Sequence, residues 1–187
     1  MAQIYNEEGK LIPVTLVEAG PCQVLKIKEK EGKDGYDAVQ VGFLGLKDKK
    51  IKKAQKEKPF RYIREFTGKT EHKAGDKIDV SLFSEGDKVK VSGINKGKGF
   101  QGGVKRWGFR GRSTSHGTKH EQRTGGSIGS SFPERVIKGK KMPGHLGAER
   151  VSVKNLKIVK IDAENNILAI KGALPGPKGA LLEIISK

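Results

Sequence analysis

The chain has 187 residues, 38 Lys plus Arg against 21 Asp plus Glu, and a formal net charge of +17 with a pI near 9.9. That balance excludes a neutral, self-contained enzyme as the default reading and points to a polyanionic partner. The length allows one domain, or one domain with an elaboration, and is enough to bury a real core. A single cysteine, Cys22, leaves no intramolecular disulfide and no four-thiolate metal cluster. No run approaches the ~18 apolar residues that cross a bilayer. The polar, acidic start from Met1 to Gly9 is wrong for a secretory signal or an Arg-rich transit peptide. The expectation is an intracellular, cytoplasmic protein with no membrane partner.

Along the chain, β-branched runs bounded by Gly, Pro, Asn or Asp predict strands over Ile12 to Glu18, Gln23 to Lys28, Tyr36 to Gly42, Ile78 to Leu82, Lys88 to Ile94, Leu156 to Asp162, Ile167 to Lys171 and Ala180 to Ile185. Turns such as Glu8-Gly9, Asp34-Gly35, Glu85-Gly86 and Asn165-Asn166 separate them at intervals that suggest a closed or nearly closed antiparallel barrel. The one plausible helix lies within Leu46 to Lys58. Its lysine-rich sequence has little apolar face and reads as a solvated helix or loop, or as a second phosphate-contacting surface.

Residues 96–150 differ from the rest. They hold 8 Val, Ile, Leu or Phe in 55 positions, against 39 in the other 132, and 13 Lys or Arg against three acids, so +10 of the charge sits where apolar residues are fewest. Such a segment cannot offset its ordering entropy by burial and reads as a binding arm inserted into the β domain, flexible until a polyanion organises it. The chain thus divides into 1–95, first part of the β domain; 96–150, the arm; and 151–187, the remaining strands. In the arm Lys96, Lys98, Lys105, Arg106, Arg110 and Arg112 alternate with Gly and with Phe100, Trp107 and Phe109. His116, Lys119, His120, Arg123, Arg135, Lys138, Lys140, Lys141, His145 and Arg150 continue the series. Cations neutralise phosphates, flat rings stack on unpaired bases, and glycine lets backbone N–H groups come close, so the pattern points to RNA. Trp107 has a second reading, packing under the β domain.

Other chemistries fit less well. Gly97-Lys98-Gly99-Phe100-Gln101-Gly102 matches GxGxxG and follows a predicted strand. A dinucleotide site also needs a helix opening at the glycines, and Gly102, Gly103, Gly108 and Gly111 argue against one. His116 and His120 stand four apart, but without helix signals, cysteines or a carboxylate cluster this is a weak metal signal. No Ser, His and acid trio can be argued from spacing. The expectation is no catalytic residue, no cofactor, no metal and no small-molecule substrate.

Several blocks resemble the large-subunit ribosomal protein L-three family of bacterial type: KGKGFQGGVKRWGF (Lys96 to Phe109), HG (His116, Gly117), GSIG (Gly126 to Gly129), KGKKMPGHLGAERV (Lys138 to Val151) and NNILAIKGALPGPKG (Asn165 to Gly179). The front is similar too, and the likeness is weakest between Leu44 and Gly75. The resemblance implies a mainly β fold: an antiparallel, Greek-key-like barrel of the translation-protein type carrying a long glycine-rich basic extension between its strands. It implies a structural, early-assembly component of the large ribosomal subunit whose partners are large-subunit rRNA and neighbouring ribosomal proteins. It also implies an arm whose tip, Gly126, Ser127, Ile128, Gly129, Ser130 and Ser131, points toward the peptidyl transferase centre. Ser130, Ser131 and Phe132 stand where many bacterial members carry an N-methylated glutamine, so no such modification is expected. Lys90 and Asn95 depart from the family's usual residues, and Met1 aligns with an internal methionine, as though a lead strand were missing. A free-standing RNA-binding assembly factor is the alternative, and an RNA-acting enzyme the least supported.

Overall fold

The computed structural model describes residues 1–6, 8–32, 34–68 and 72–186. In chain order the elements are β1 (Ala2–Tyr5), β2 (Leu11–Glu18), β3 (Cys22–Lys28), β4 (Ala38–Gly45), β5 (Phe60–Thr67), β6 (Lys77–Ile78), β7 (Lys88–Ile94), β8 (Gly99–Gln101), a short helix α1 (Gly103–Trp107), β9 (Gly144–Leu146), β10 (Arg150–Asp162), β11 (Ile167–Lys171) and β12 (Leu182–Ser186). The chain is mainly β, as its β-branched runs predict. Two compact units are distinguished: residues 1–91, 153–174 and from 184 onward form the first, and 92–152 with 175–183 the second.

The strands order as β1-β2-β11-β10-β7-β12 in a six-stranded sheet and β5-β4-β3-β6 in a four-stranded one, with β8-β9 as a separate ribbon. All the pairings given by register are antiparallel. In the first unit Val14, Ile158, Leu168 and Ile170 from the larger sheet and Val24 and Ala38 from the smaller one are fully or almost fully buried. Each buried aliphatic side chain contributes roughly 1.5–3 kcal/mol. Strand β11 lies between β2 and β10, and its three consecutive residues Leu168, Ala169 and Ile170 are all buried. A strand covered on both faces loses polar alternation and reads as a continuous apolar run. Its entry turn is fixed by Asp162, whose Oδ1 and Oδ2 accept from the Asn165 N–H (3.2 Å) and Nδ2 (2.8 Å).

Four sequence expectations need correction. The strand expected over Ile78 to Leu82 is only the two-residue β6, followed by a 3-10 turn at Val80–Leu82. The turn buries Val80 and leaves Leu82 more than half exposed, so of the two apolar side chains at alternate positions only one enters the core. The helix expected within Leu46 to Lys58 is two 3-10 turns, Asp48–Lys50 and Lys53–Gln55. Seven lysines between positions 47 and 58 place like charges three and four apart, which destabilises a continuous helix. A helix does open at the glycines: α1 starts after Gly102 and ends at Gly108, whose φ of 72° and N–H to the Gly103 and Val104 carbonyls form a left-handed cap. Gly102 and Gly108 bracket this helix and Gly103 opens it, rather than forbidding it. Finally β5, unpredicted, pairs with β4, and Gly42 is what admits it. A Cβ there would lie 2.6 Å from Cγ of Phe60.

The smaller sheet carries a polar cluster on its solvent face. Lys28 Nζ donates to the Tyr36 hydroxyl at 2.7 Å and pairs with Glu65 Oε1 at 3.0 Å, while the Tyr36 hydroxyl donates to Glu65 Oε2 at 3.0 Å. The Lys28 and Tyr36 hydrogen bonds hold the Glu65 carboxyl below the usual carboxylate range, and those to Tyr36 and Glu65 raise the Lys28 ammonium. The Glu65 contribution is therefore present above its unfolded pKa and lost as pH falls through its lower folded value. That of Lys28 is present below its unfolded pKa and lost as pH rises through its higher folded value. Thermal unfolding from pH 7 to pH 3 should show Glu65→Gln losing less stability over the acid limb than the wild type. Parallel curves would show that the cluster contributes nothing.

Candidate nucleic-acid interface

The second unit is built on a clasp. Strands β8 and β9 pair antiparallel, Gly99 opposite Leu146, Phe100 opposite His145 and Gln101 opposite Gly144, and close residues 102–143 into one excursion. Below the ribbon the Asn95 N–H donates to the Glu149 carbonyl at 3.0 Å, the Glu149 N–H donates to Asn95 Oδ1 at 3.0 Å, and the Lys98 N–H donates to the Leu146 carbonyl at 2.8 Å. Asn95 thus serves the clasp through its side chain. Buried Ser92 is satisfied by the Ser152 hydroxyl at 2.7 Å. Gly147 crosses the ribbon so closely, at φ 85°, that a Cβ would lie 2.2 Å from the Lys96 carbonyl oxygen.

One knot of residues sits on the clasp. The Met142 carbonyl accepts from Arg106 Nη1 at 2.9 Å and from Trp107 Nε1 at 2.8 Å. The Arg106 guanidinium lies 4.8 Å from the Trp107 ring centroid and Lys141 Nζ 5.7 Å, both within cation–π range. The Trp107 edge is thus held within the excursion itself, by the Met142 carbonyl, and the residue is 40% exposed. Phe109 fills the space left by two glycines: a Cβ on Gly103 would approach its ring at 3.0 Å and one on Gly125 at 3.6 Å. Beyond it the Arg112 N–H donates to the Gln122 carbonyl at 2.9 Å, and the Arg112 guanidinium pairs with Glu121 at 2.6 Å.

Among the other residues expected to bind RNA, Lys96, Lys98, Lys105, Arg110, His116, Lys119, His120, Arg123, Arg135, Lys138, Lys140 and His145 are all exposed. Arg106 is half-buried, and Arg150 forms an ion pair with Glu183. The structure therefore brings Arg106, Trp107 and Lys141 together and gives Arg112 and Arg150 acidic partners within the chain. Sequence spacing held no sign of the Met142 carbonyl as the common acceptor. The expected tip, Gly126 to Ser131, is exposed, with Gly126 at φ 77° and the Ser127 hydroxyl donating to the Gly129 carbonyl at 2.7 Å. Among the described residues no group of three or more His, Cys, Asp or Glu could hold a metal ion, and no helix is long and apolar enough to cross a membrane. Burial, and then the nearby Asp79, push the half-buried Cys22 thiol up.

The geometry is that of a basic, mainly β protein with a clasped, cation-rich, helix-poor excursion. Comparison with known proteins makes the class particular. Residues 63–167, more than half of the chain, match the model of the family described as Ribosomal protein L3. The chain is 46% identical over 193 residues to the large ribosomal subunit protein uL3 of Pelotomaculum thermopropionicum, covering 98% of this chain and 91% of that one. It is 47% identical to the uL3 of Carboxydothermus hydrogenoformans (98% and 91%) and 50% identical to that of Geobacter sulfurreducens (97% and 90%). The chain belongs to the ribosomal protein L3 family. This is a family of ribosomal structural proteins, not of enzymes, and its bacterial members work in the cytoplasm, where the large subunit sits.

Proposed function

We infer that this chain is a structural constituent of the large ribosomal subunit, that it binds large-subunit rRNA through residues 96–150, and that it acts early in subunit assembly. The observation that carries the reading is full-length likeness to uL3 proteins in a chain whose +10 excursion keeps most of its cations exposed. The two sheets of the first unit are read as the walls of an antiparallel barrel, with residues 1–95 and 151–187 as barrel and 96–150 as its glycine-rich arm. The exposed segment Gly126 to Ser131 is read as the end of the arm nearest the peptidyl transferase centre. Neighbouring large-subunit proteins are the other partners. No small molecule, cofactor or membrane enters the reading.

The mechanism is electrostatic and steric. Each exposed Lys or Arg that meets a phosphate releases a condensed counterion, so affinity falls linearly on a logarithmic salt scale, by ~0.7–0.9 per contact. Glycine in place of larger residues lets the backbone pass between crowded RNA helices, and the clasp fixes where the excursion begins and ends. The test is binding of the full chain to deproteinised large-subunit rRNA and to an unrelated RNA of similar length over a range of salt. The reading expects a steep salt slope and a clear preference for the rRNA. Equal affinity for both RNAs would overturn it.

A further inference from the structure

We propose that Phe100 and His145 form a stacking platform for one unpaired RNA base. The proposal rests on the rRNA-binding reading and adds a specific site to it. The arm carries four aromatic rings, and the structure separates them: Phe132, 86% exposed, lies in a bend with no strand partner beside it. Trp107 is held by its hydrogen bond to the Met142 carbonyl and flanked by Arg106 and Lys141, and Phe109 is packed over Gly103 and Gly125. Phe100 is 77% exposed although it lies within a strand.

Its strand partner is what turns an exposed ring into a site. Phe100 is directly opposite His145, which is also exposed. Directly opposed residues of an antiparallel pair project from the same face, with Cβ atoms ~4.5–5.5 Å apart. The other face of the ribbon is occupied: a Cβ on Gly144 would lie 2.5 Å from Arg106 Nη1. The open face thus presents two exposed aromatic side chains from directly opposed positions on hydrogen-bonded backbone. A Cβ on Gly102, two residues beyond Phe100, would meet nothing within 4 Å, so no bulk crowds the ribbon there.

The charge selects the ligand. Exposed Lys96 and Lys98 lead directly into the strand, in a segment that carries +10. An anionic chain that also presents flat apolar faces meets both requirements, and single-stranded RNA with a splayed base is such a ligand. Aromatic platforms beside cationic grooves bind bases in this way, largely without regard to base identity.

The test is binding of the full chain to deproteinised large-subunit rRNA, with Phe100→Leu, Phe100→Tyr and His145→Leu compared with wild type. Circular dichroism provides the check on folding. Loss of a stacked base weakens binding about 5- to 150-fold. Phe100→Leu is expected to show that loss with the salt slope unchanged, because no phosphate contact is removed, and Phe100→Tyr is expected to restore affinity. His145→Leu is expected to show a smaller loss in the same direction. Wild-type affinity in both leucine variants, with the wild type still preferring the rRNA, would remove the platform while leaving the rRNA reading intact, as would occupation of this face by a protein partner. A tyrosine variant as weak as the leucine one would also overturn the stacking role. No preference for the rRNA by the wild type would overturn the broader reading and the platform with it.

Discussion

Gly147→Ala should loosen the clasp by about 2–5 kcal/mol, whereas Gly126→Ala should cost only about 1–2 kcal/mol. Both glycines have left-handed backbone, at φ 85° and 77°, so both alanines suffer the same conformational penalty. The surroundings differ. A Cβ on Gly126 meets nothing within 4 Å, but on Gly147 it would lie 2.2 Å from the Lys96 carbonyl oxygen and 3.0 Å from the Gly97 Cα. These are backbone atoms that no rotamer change can move aside, so the ribbon must part. Opening of the clasp can escape a global unfolding curve, so the appropriate measurement is native-state hydrogen exchange at the Asn95 and Lys98 amides, which donate to the Glu149 and Leu146 carbonyls. Exchange about 30-fold faster or more in Gly147→Ala, and unchanged in Gly126→Ala, is expected. Similar rates in the two variants would mean that the clasp does not hold the excursion.

Replacing Lys138, Lys140 and Lys141 together with alanine should lower the slope of log affinity against log salt by about 2 in the rRNA titration, since each lost phosphate contact removes ~0.7–0.9. All three are exposed around a turn in which the Lys140 N–H donates to the Ile137 carbonyl at 3.2 Å and Gly139 takes φ 82°. Lys141 also approaches the Trp107 ring, so Trp107 fluorescence should report any disturbance of the knot separately from the loss of charge. An unchanged slope would remove the triplet from the phosphate-contacting set. The effect is expected to combine independently with that of Phe100→Leu, which changes affinity but not slope.

Most strands of the β domain were legible in the sequence because their β-branched runs are bounded by turn residues with their own chemistry, although β10 starts at Arg150, six residues before the expected Leu156. Strand β11 is the clearest case, since its central position makes Ile167 to Ile170 wholly apolar and Asp162 with Asn165 marks the turn before it. Strand β5 was missed because Phe60, Tyr62, Ile63 and Phe66 are interrupted by Arg61, Arg64 and Glu65, charges that belong on an exposed sheet face. The clasp was illegible for another reason. Strands β8 and β9 are three residues each, rich in glycine and separated by residues 102–143, so neither carries a period that announces its partner. The basic excursion as a whole could be seen from composition. Composition could not show that Arg112 and Arg150 are paired with Glu121 and Glu183, or that Trp107 is anchored by the Met142 carbonyl. Those depend on which residues the clasp brings together.

The most direct test of the account is sucrose-gradient fractionation of lysate from the source cells at low and moderately high salt, with this chain quantified in every fraction. The account predicts one copy per large subunit, retained at the higher salt. Recovery mainly in free or precursor fractions, or loss on washing, would contradict it and identify the chain as an assembly factor that binds and leaves.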